Sequence, residues 1–553
     1  MNCYKFHLYL LALCLLFTTI MCTSPNDSSA TKTSFSTYEE LVDFFLKWRE
    51  FSAPKMIDGV PDYSVEAMTQ QHKTLADWQK QLTSVDTSGW PIKHQVDWYL
   101  IWAEMNGMDF EHRVTKPWER DPAFYVWFYP DPSDVPEREA PNIHGCIELP
   151  KYQQPLSAND AAEIARRLRN AAKLYERAKI NLTGNARDLW VTGIRTIREQ
   201  SADLEAFAES IKDVFPDLAS AALEARDASN EFAEWLDAQA NSKTGTSGVG
   251  KENYTWNLKN VHLVPYTWEE EVLLMQRELA RAHSSLRFFE HRHRNLPKLN
   301  RIDNAEDYDR LMNEATNEFL AFLKDSEVLT YKDYMEPAMR AQVGVFKPST
   351  GLRGFFDEVN YRDGMVMRTH FYHWIELARI REEPNESKIR QIPTMYNIFD
   401  SRAEGLATAM EELMMNAGLF EDRPRAKELV WIMLAQRAAR GLGGLYQHGL
   451  EMNIDEACVF ASKWVPYGWL PADGGTITHE EQFYLRQPAY GTSYVIGKLD
   501  LDKLIAEYAR QRGDQFVLKE FMDEINRIGV IPVSLVYWEM TGDKSMLEAA
   551  IGK

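Results

Sequence analysis

Apolar residues recur at helical spacing along most of this chain, and runs with strand alternation are few. From Ser157 to Ile180 the apolar positions fall on one face and arginines on the other, which predicts helix. Asp203 to Ala240 predicts a second long helical stretch, interrupted at Pro216. Thr267-Trp268-Glu269-Glu270 is a capping-box start for a helix running to about His293. Its last turn, His291-Arg292-His293-Arg294, suits the helix dipole and reads as a solvated terminus. The same periodicity predicts helices at 306–325, 366–382, 396–417, 424–448, 454–463, 500–512 and 516–528, the last closed by Gly529 with Pro532 beyond it. A short extended piece is expected near Val343–Lys347 or within 122–150. The fold class is therefore mostly α, a large multi-helix body.

The breaks define the organisation. From Tyr38 to Trp118 the chain is aromatic-rich at helical spacing, as at Trp78, Trp90, Trp98 and Trp102. Prolines from Pro122 to Pro155 exclude regular helix and predict an irregular surface-crossing segment, whose cluster Phe124–Tyr129 packs it onto the core. Residues 241–252, rich in Gly and Ser, read as a linker between an N-terminal helical region (37–249) and a C-terminal one (250–553), the two packed around one cleft.

Composition narrows the function classes. Over 553 residues, 45% apolar and 26% charged residues are those of an ordinary globular protein. A net charge of −20 argues against nucleic acid as a partner, because phosphate binding needs a basic stripe. Lys5 precedes an apolar run from Leu8 to Met21, the pattern of a secretory signal peptide over residues 1–22, followed by a Ser/Thr-rich tether at 23–36. The expected location is extracytoplasmic: periplasm, cell surface or medium. Cys22 is a candidate for lipid attachment, although Met21 before it is bulkier than a lipoprotein signal prefers. No later segment is long and apolar enough to cross a membrane. Cys146 and Cys458, far apart in sequence, read as buried thiols.

The chemistry is concentrated at Met367-Arg-Thr-His370-Phe-Tyr-His373-Trp374-Ile-Glu376 and, about thirty residues on, at Glu404-Gly405-Leu406-Ala407. His370 and His373, three apart on a predicted helix, share a face. With Glu404 they supply the three ligands that a zinc site needs, and Glu376 one turn on is a candidate base. Arg368 cannot accept a proton at neutral pH. Glycine-rich Gly441–Gly444 lacks the Lys-Ser/Thr ending of a phosphate loop, and no Gly-x-Ser-x-Gly elbow occurs.

From about Gly250 to Gly542 the chain resembles the bacterial "domain of unknown function 885" family, secreted helical proteins considered metallopeptidase-like. That family's signature is His-Glu-x-x-Pro-Gly-His-His-Leu-Gln, then Glu-Gly-Trp-Ala. Tyr254–Leu258, Glu404–Ala407, Arg437-Ala-Ala-Arg440 with His448, Ser493-Tyr494, and Phe521 with Asp523, Gly529 and Pro532 match its landmarks. The resemblance implies a helical zinc-metallopeptidase scaffold. The departures fall on its chemistry: Met367 and Arg368 stand for the leading His-Glu, Phe371-Tyr372 for Pro-Gly, and Trp374 for the second His of the pair. His373, Glu404, His448 and Tyr494 persist.

Two readings follow. In the first, favoured by the substitutions, the protein binds a peptide-like or other extended ligand in the former active-site cleft without hydrolysing it and needs no cofactor. Arg368 then pairs with Glu404 or Glu376, and Arg368, Trp374 and Tyr484 contact the ligand. In the second, zinc on His370, His373 and Glu404 makes an active peptidase, with Glu376, Tyr494 and His448 in catalytic roles.

Overall fold

The computed structural model describes residues 35–552. The proposed signal peptide and Cys22 therefore lie outside the described residues, as does most of the tether. The chain is mostly α-helical; its only strands among the described residues are two-residue pairs, Met56–Ile57 with Val60–Pro61 (antiparallel) and Phe128–Tyr129 with Ile147–Glu148 (parallel). The second pair lies inside the proline-rich segment. Val343–Lys347 forms no strand.

Local sequence signals start and stop the helices. Thr37, Thr267 and Asn453 each form a reciprocal capping box with a glutamate three residues on. Gly529 ends Leu518–Ile528 at φ 103°, a conformation that excludes most side chains. The predicted helix 366–382 is two helices, Gly364–His370 and Tyr372–Glu382, divided at Phe371, whose ψ of 9° interrupts the ladder. This break turns the two histidine rings perpendicular, 5.2 Å apart. The predicted helix 500–512 starts earlier, at Tyr490, and a further helix, Gly475–Arg486, precedes it.

Two apolar cores hold the body together. The larger joins the N-terminal helices, through Leu41, Trp48, Leu100 and Phe110, to nearly all of the C-terminal half. The smaller is built from residues between Val60 and Leu236, mainly the helix pair Arg187–Ile211 and Pro216–Ala240. Each fully buried Leu, Ile or Phe in these cores contributes roughly 1.5–3 kcal/mol of transfer free energy. Helix Ala426–His448 is buried along almost its whole length and packs on Trp268–Arg292, Ile454–Trp464 and Tyr490–Arg512.

The 241–252 segment is not a free linker. Ser247 is buried, its hydroxyl accepts hydrogen bonds from the Asp188 and Leu189 amides, and its carbonyl accepts one from Arg120. A side chain at Gly248 would sit 2.3 Å from the Gln447 carbonyl. Small residues are there for close approach rather than flexibility. The His291–Arg294 turn is also only partly solvated: His293 is buried, with Nδ1 2.9 Å from Glu428. Among the described residues no helix is long and apolar enough to cross a membrane. Cys146 and Cys458 are free thiols; Cys458 is buried as expected, whereas Cys146 is only half-buried.

Candidate functional site

A cavity of about 560 Å³ opens between the proline-rich segment and the C-terminal helices. Val126 to Asn142 and Thr196 to Asp203 form one wall. Met367, His370, Phe371, Glu404, Arg440, Tyr490 and Tyr494 belong to the other. Residues from before and after position 250 line this cavity. Its registry depends on two helices that nearly touch: a Cβ on Gly405 would lie 2.6 Å from the Gly497 backbone, and one on Gly497 would lie 2.0 Å from the Ser401 carbonyl. Glycine at both positions lets Asp400–Asn416 and Tyr490–Arg512 approach closely enough for Tyr490 to reach Glu404.

Glu404 is the hub. Its Oε2 lies 3.1 Å from His373 Nε2, and its Oε1 accepts from the Tyr490 hydroxyl at 2.5 Å. Tyr494 donates to the Tyr490 oxygen at 3.0 Å. Burial opposes the charge on His373, but the Glu404 carboxylate outweighs it, with help from Asp134 and Glu376, and lifts the imidazole to about 9. Glu404 is likewise held below its ordinary value: burial is outweighed by His373, the Tyr490 bond and Arg440. At neutral pH the pair is imidazolium and carboxylate.

His370 is the opposite case. Burial and the neighbouring Arg437, His373 and Arg440 charges keep it neutral. Its Nδ1 accepts from Arg437 Nη2 at 3.1 Å, and that guanidinium is clamped by Glu411 at 2.7 and 2.9 Å. One nitrogen of His370 is therefore committed to a cation.

Two further carboxyls reach the hub from the proline-rich segment. Asp134, Glu139 and Glu404 each offer an oxygen within 4.8 Å of the others, and so do ligand atoms of His370, His373 and Glu404. Glu139 accepts from Ser133 Oγ at 2.8 Å, and its Oε1 is 3.2 Å from the Tyr490 hydroxyl. Burial, then the Asp134 and Glu404 charges, push Glu139 up to about 7. Asp134 is raised by burial and by Glu404 and Glu480, against the pull of His373.

The other expected residues are placed elsewhere. Arg368 does not pair with Glu404 or Glu376. It points away, at 3.3 Å from Thr316, 3.4 Å from Asn360 and 3.5 Å from the Gln342 carbonyl, its guanidinium over the Phe371 ring. It does not line the cavity, and burial lowers it to about 10. Glu376 is occupied by Arg402 at 2.9 Å and lies outside the cavity lining, so it is not free to act as a base. His448 also lies off the cavity: Nε2 is 2.9 Å from the Tyr484 carbonyl, the ring lies against Tyr254, and burial drops it to about 4. Trp374 is half-buried and outside the lining, and Tyr484 is buried behind it, donating to Glu480. Tyr494 and Met367 do face the cavity.

The lining is strongly acidic. Asp131, Asp134, Glu139, Glu199, Asp203, Asp357, Glu404 and Glu480 line it against Arg138, Arg440 and Arg486. Those three cations are already paired, with Glu148 at 3.3 Å, Glu480 at 2.5 Å and Asp121 at 2.6 Å. Asp131, Asp203 and Asp357 have no cationic partner among the described residues. The residues the sequence reading passed over are these carboxylates; a proline-rich segment carrying Asp131, Asp134 and Glu139 was the available signal.

No curated protein matches the chain. Two solved structures share the fold: "a putative lipoprotein of unknown function from Shewanella oneidensis" (TM-score 0.65, 14% identity, 91% of this chain and 99% of that one) and "the putative lipoprotein from Colwellia psychrerythraea" (TM-score 0.64, 14% identity, 92% and 99%). Likeness at this identity speaks for the fold alone. The family model for DUF885, described as bacterial protein of unknown function, matches residues 53–347, just over half of the chain. The matched span ends before Met367, and the histidine motif and Glu404 lie outside it. On that match the chain belongs to the DUF885 family of bacterial proteins of unknown function.

Proposed function

We propose that this protein is an extracytoplasmic receptor that holds a positively charged, peptide-like ligand in the acidic cavity without hydrolysing it. The observation that carries the reading is the charge on the cavity wall: His373 and Glu404 neutralise each other, while Asp131, Asp203 and Asp357 line the cavity with no cationic partner among the described residues. A hydrolytic zinc centre needs deprotonated ligands, an open position and a carboxylate base. Here the residues do not fit one. His373 shares its proton with Glu404, His370 accepts from Arg437, Met367 supplies only a thioether, and Glu376 is held by Arg402. Tyr490 beside the acids suits an ammonium or guanidinium, and the neighbouring Phe371 and Tyr494 rings already carry the guanidinium groups of Arg368 and Arg440.

The extracytoplasmic assignment rests on the apolar run Leu8–Met21, and lipid attachment at Cys22 on its place after that run; the two solved structures of this fold carry the description "putative lipoprotein". Incorporation of a palmitate analogue that Cys22→Ser abolishes supports the anchor; equal labelling of both refutes it.

Trilysine titrated into the protein by calorimetry tests the binding. The expected result is saturable binding that weakens at least tenfold in Asp203→Asn/Asp357→Asn and with added salt, with trilysine recovered intact by mass spectrometry. Equal binding of fully acetylated trilysine, or cleavage of trilysine, overturns the reading.

A further inference from the structure

Among the described residues the backbone widens to a π-helical turn twice. Glu111–Thr115 continues helix Ile92–Phe110, and Leu258–His262 continues helix Lys251–Asn257. Each is followed by a residue in the left-handed region, Lys116 (φ 39°) and Leu263 (φ 55°). Such turns are uncommon, cost local strain, and concentrate at functional sites. Helix Ile92–Phe110 packs directly on the second π-turn, which brings the two together.

Both turns deliver a titratable side chain to one cavity. Glu111, the first residue of one, and His262, the last of the other, line a space of about 610 Å³. This space is separate from the acidic one; Arg138, Asn142 and Arg486 line both and stand between them. His262 is 4% exposed and has no hydrogen-bond or ion-pair partner among the described residues. Its nitrogens have no protein partner among the described residues and open onto the cavity, so their hydrogen bonds are left for whatever occupies that space to make. Glu111 has no side-chain partner among the described residues either.

The charges on the wall identify what is missing. Arg49 pairs with Glu104 at 3.5 Å, Arg138 with Glu148, Lys151 with Glu137 and Glu148, and Arg486 with Asp121. Arg167 donates to Tyr152 and to the Gly145 and Cys146 carbonyls. Every cation is engaged, and of the three lining carboxylates only Glu111 has no cation. Tyr63, Phe110 and Tyr396 supply aromatic faces around it.

We propose that this second cavity is a binding site for an organic cation, an amine or guanidinium compound carrying an apolar group, whose charge pairs with Glu111 and whose polar edge meets His262. The electrostatics agree. Burial alone pushes Glu111 up to about 7, and burial alone brings His262 down to about 4. Near neutral pH the imidazole is thus uncharged and does not repel a cation, while the carboxyl is poised to ionise when one arrives. The groups facing Glu111 are the phenols of Tyr63 and Tyr396, with the Glu104–Arg49 pair nearby.

The probe is 4-bromophenethylamine, with 2-(4-bromophenyl)ethanol as its uncharged counterpart. Calorimetry on the full chain is expected to show the amine binding at least tenfold more tightly than the alcohol, with that preference lost in Glu111→Gln. The Asp203→Asn/Asp357→Asn variant of the acidic cavity is expected to keep it, which separates the two sites. Bromine anomalous scattering from a crystal of the wild-type complex locates the probe without any substitution. A peak against Glu111 supports the proposal, and it stands as the test even where Glu111→Gln does not fold. Equal binding of amine and alcohol, an unaffected folded Glu111→Gln, or a peak only in the acidic cavity or nowhere overturns it.

Discussion

Replacing Glu404 by Gln removes the anion that keeps His373 charged and leaves a side chain of the same shape. In the folded wild type the imidazole holds its proton up to about pH 9, against 6.5 for the free side chain. A group raised in this way contributes stability that is fully present below 6.5 and lost as pH climbs through 9. The difference, about 2.5 units at roughly 1.4 kcal/mol each, is on the order of 3 kcal/mol. In Glu404→Gln only the weaker pull of Asp134 and Glu376 is left against the burial of an imidazolium, so His373 folds neutral and the amide hydrogen-bonds to it. The deficit of the variant is then about 3 kcal/mol near pH 6.5, about 2 near 7.5, and close to zero above 9. Urea unfolding of both proteins across that range reads it directly. A deficit that stays constant with pH would refute the ion pair and assign the loss to packing or to the Tyr490 bond.

Other substitutions separate positioning from structure. Glu376→Gln strands Arg402, which is fully buried, and should cost about 3–5 kcal/mol in urea unfolding while leaving trilysine affinity unchanged in the folded fraction. Arg368→Met should change stability by less than about 1 kcal/mol or raise it, because this guanidinium is buried with only long contacts; a loss above about 3 kcal/mol on thermal melting would show that it has stronger partners. Gly497→Ala drives a methyl into the Ser401 carbonyl and should lower the melting temperature by several degrees and weaken trilysine binding, since it parts Tyr490 from Glu404; an unchanged melt contradicts the close approach. As pH rises from about 6 to 8, Glu139 loses its proton and trilysine should bind more tightly in calorimetry, an increase that Glu139→Gln removes.

How much of this was legible in the sequence depends on the range of the interactions. Helix existence and several caps follow from local signals, so Thr267, Asn304–Asp325 and Gly529 behave as their neighbours dictate. The break at Phe371 has no local signal: both flanking stretches carry helical periodicity, and no Pro or Gly stands between His370 and His373, which are both buried. The pairing of His373 with Glu404 was legible from a family spacing, and His370 beside His373 from their separation of three residues. The placements of Arg368 and Glu376 were not, because each depends on a cross-chain partner, Thr316 in one case and Arg402 in the other, that no spacing rule names. The same holds for Glu111 and His262, which share a cavity across some 150 residues of chain through two π-turns without a sequence signature.

The central claim is that the histidine hub is neutralised internally rather than by a metal. Elemental analysis of the protein, purified without chelator and dialysed against equimolar zinc at neutral pH, tests it most directly. The account predicts far less than one equivalent of zinc per chain, the same in His373→Ala as in the wild type. One equivalent in the wild type, lost in His373→Ala together with a peptidase activity, would contradict it.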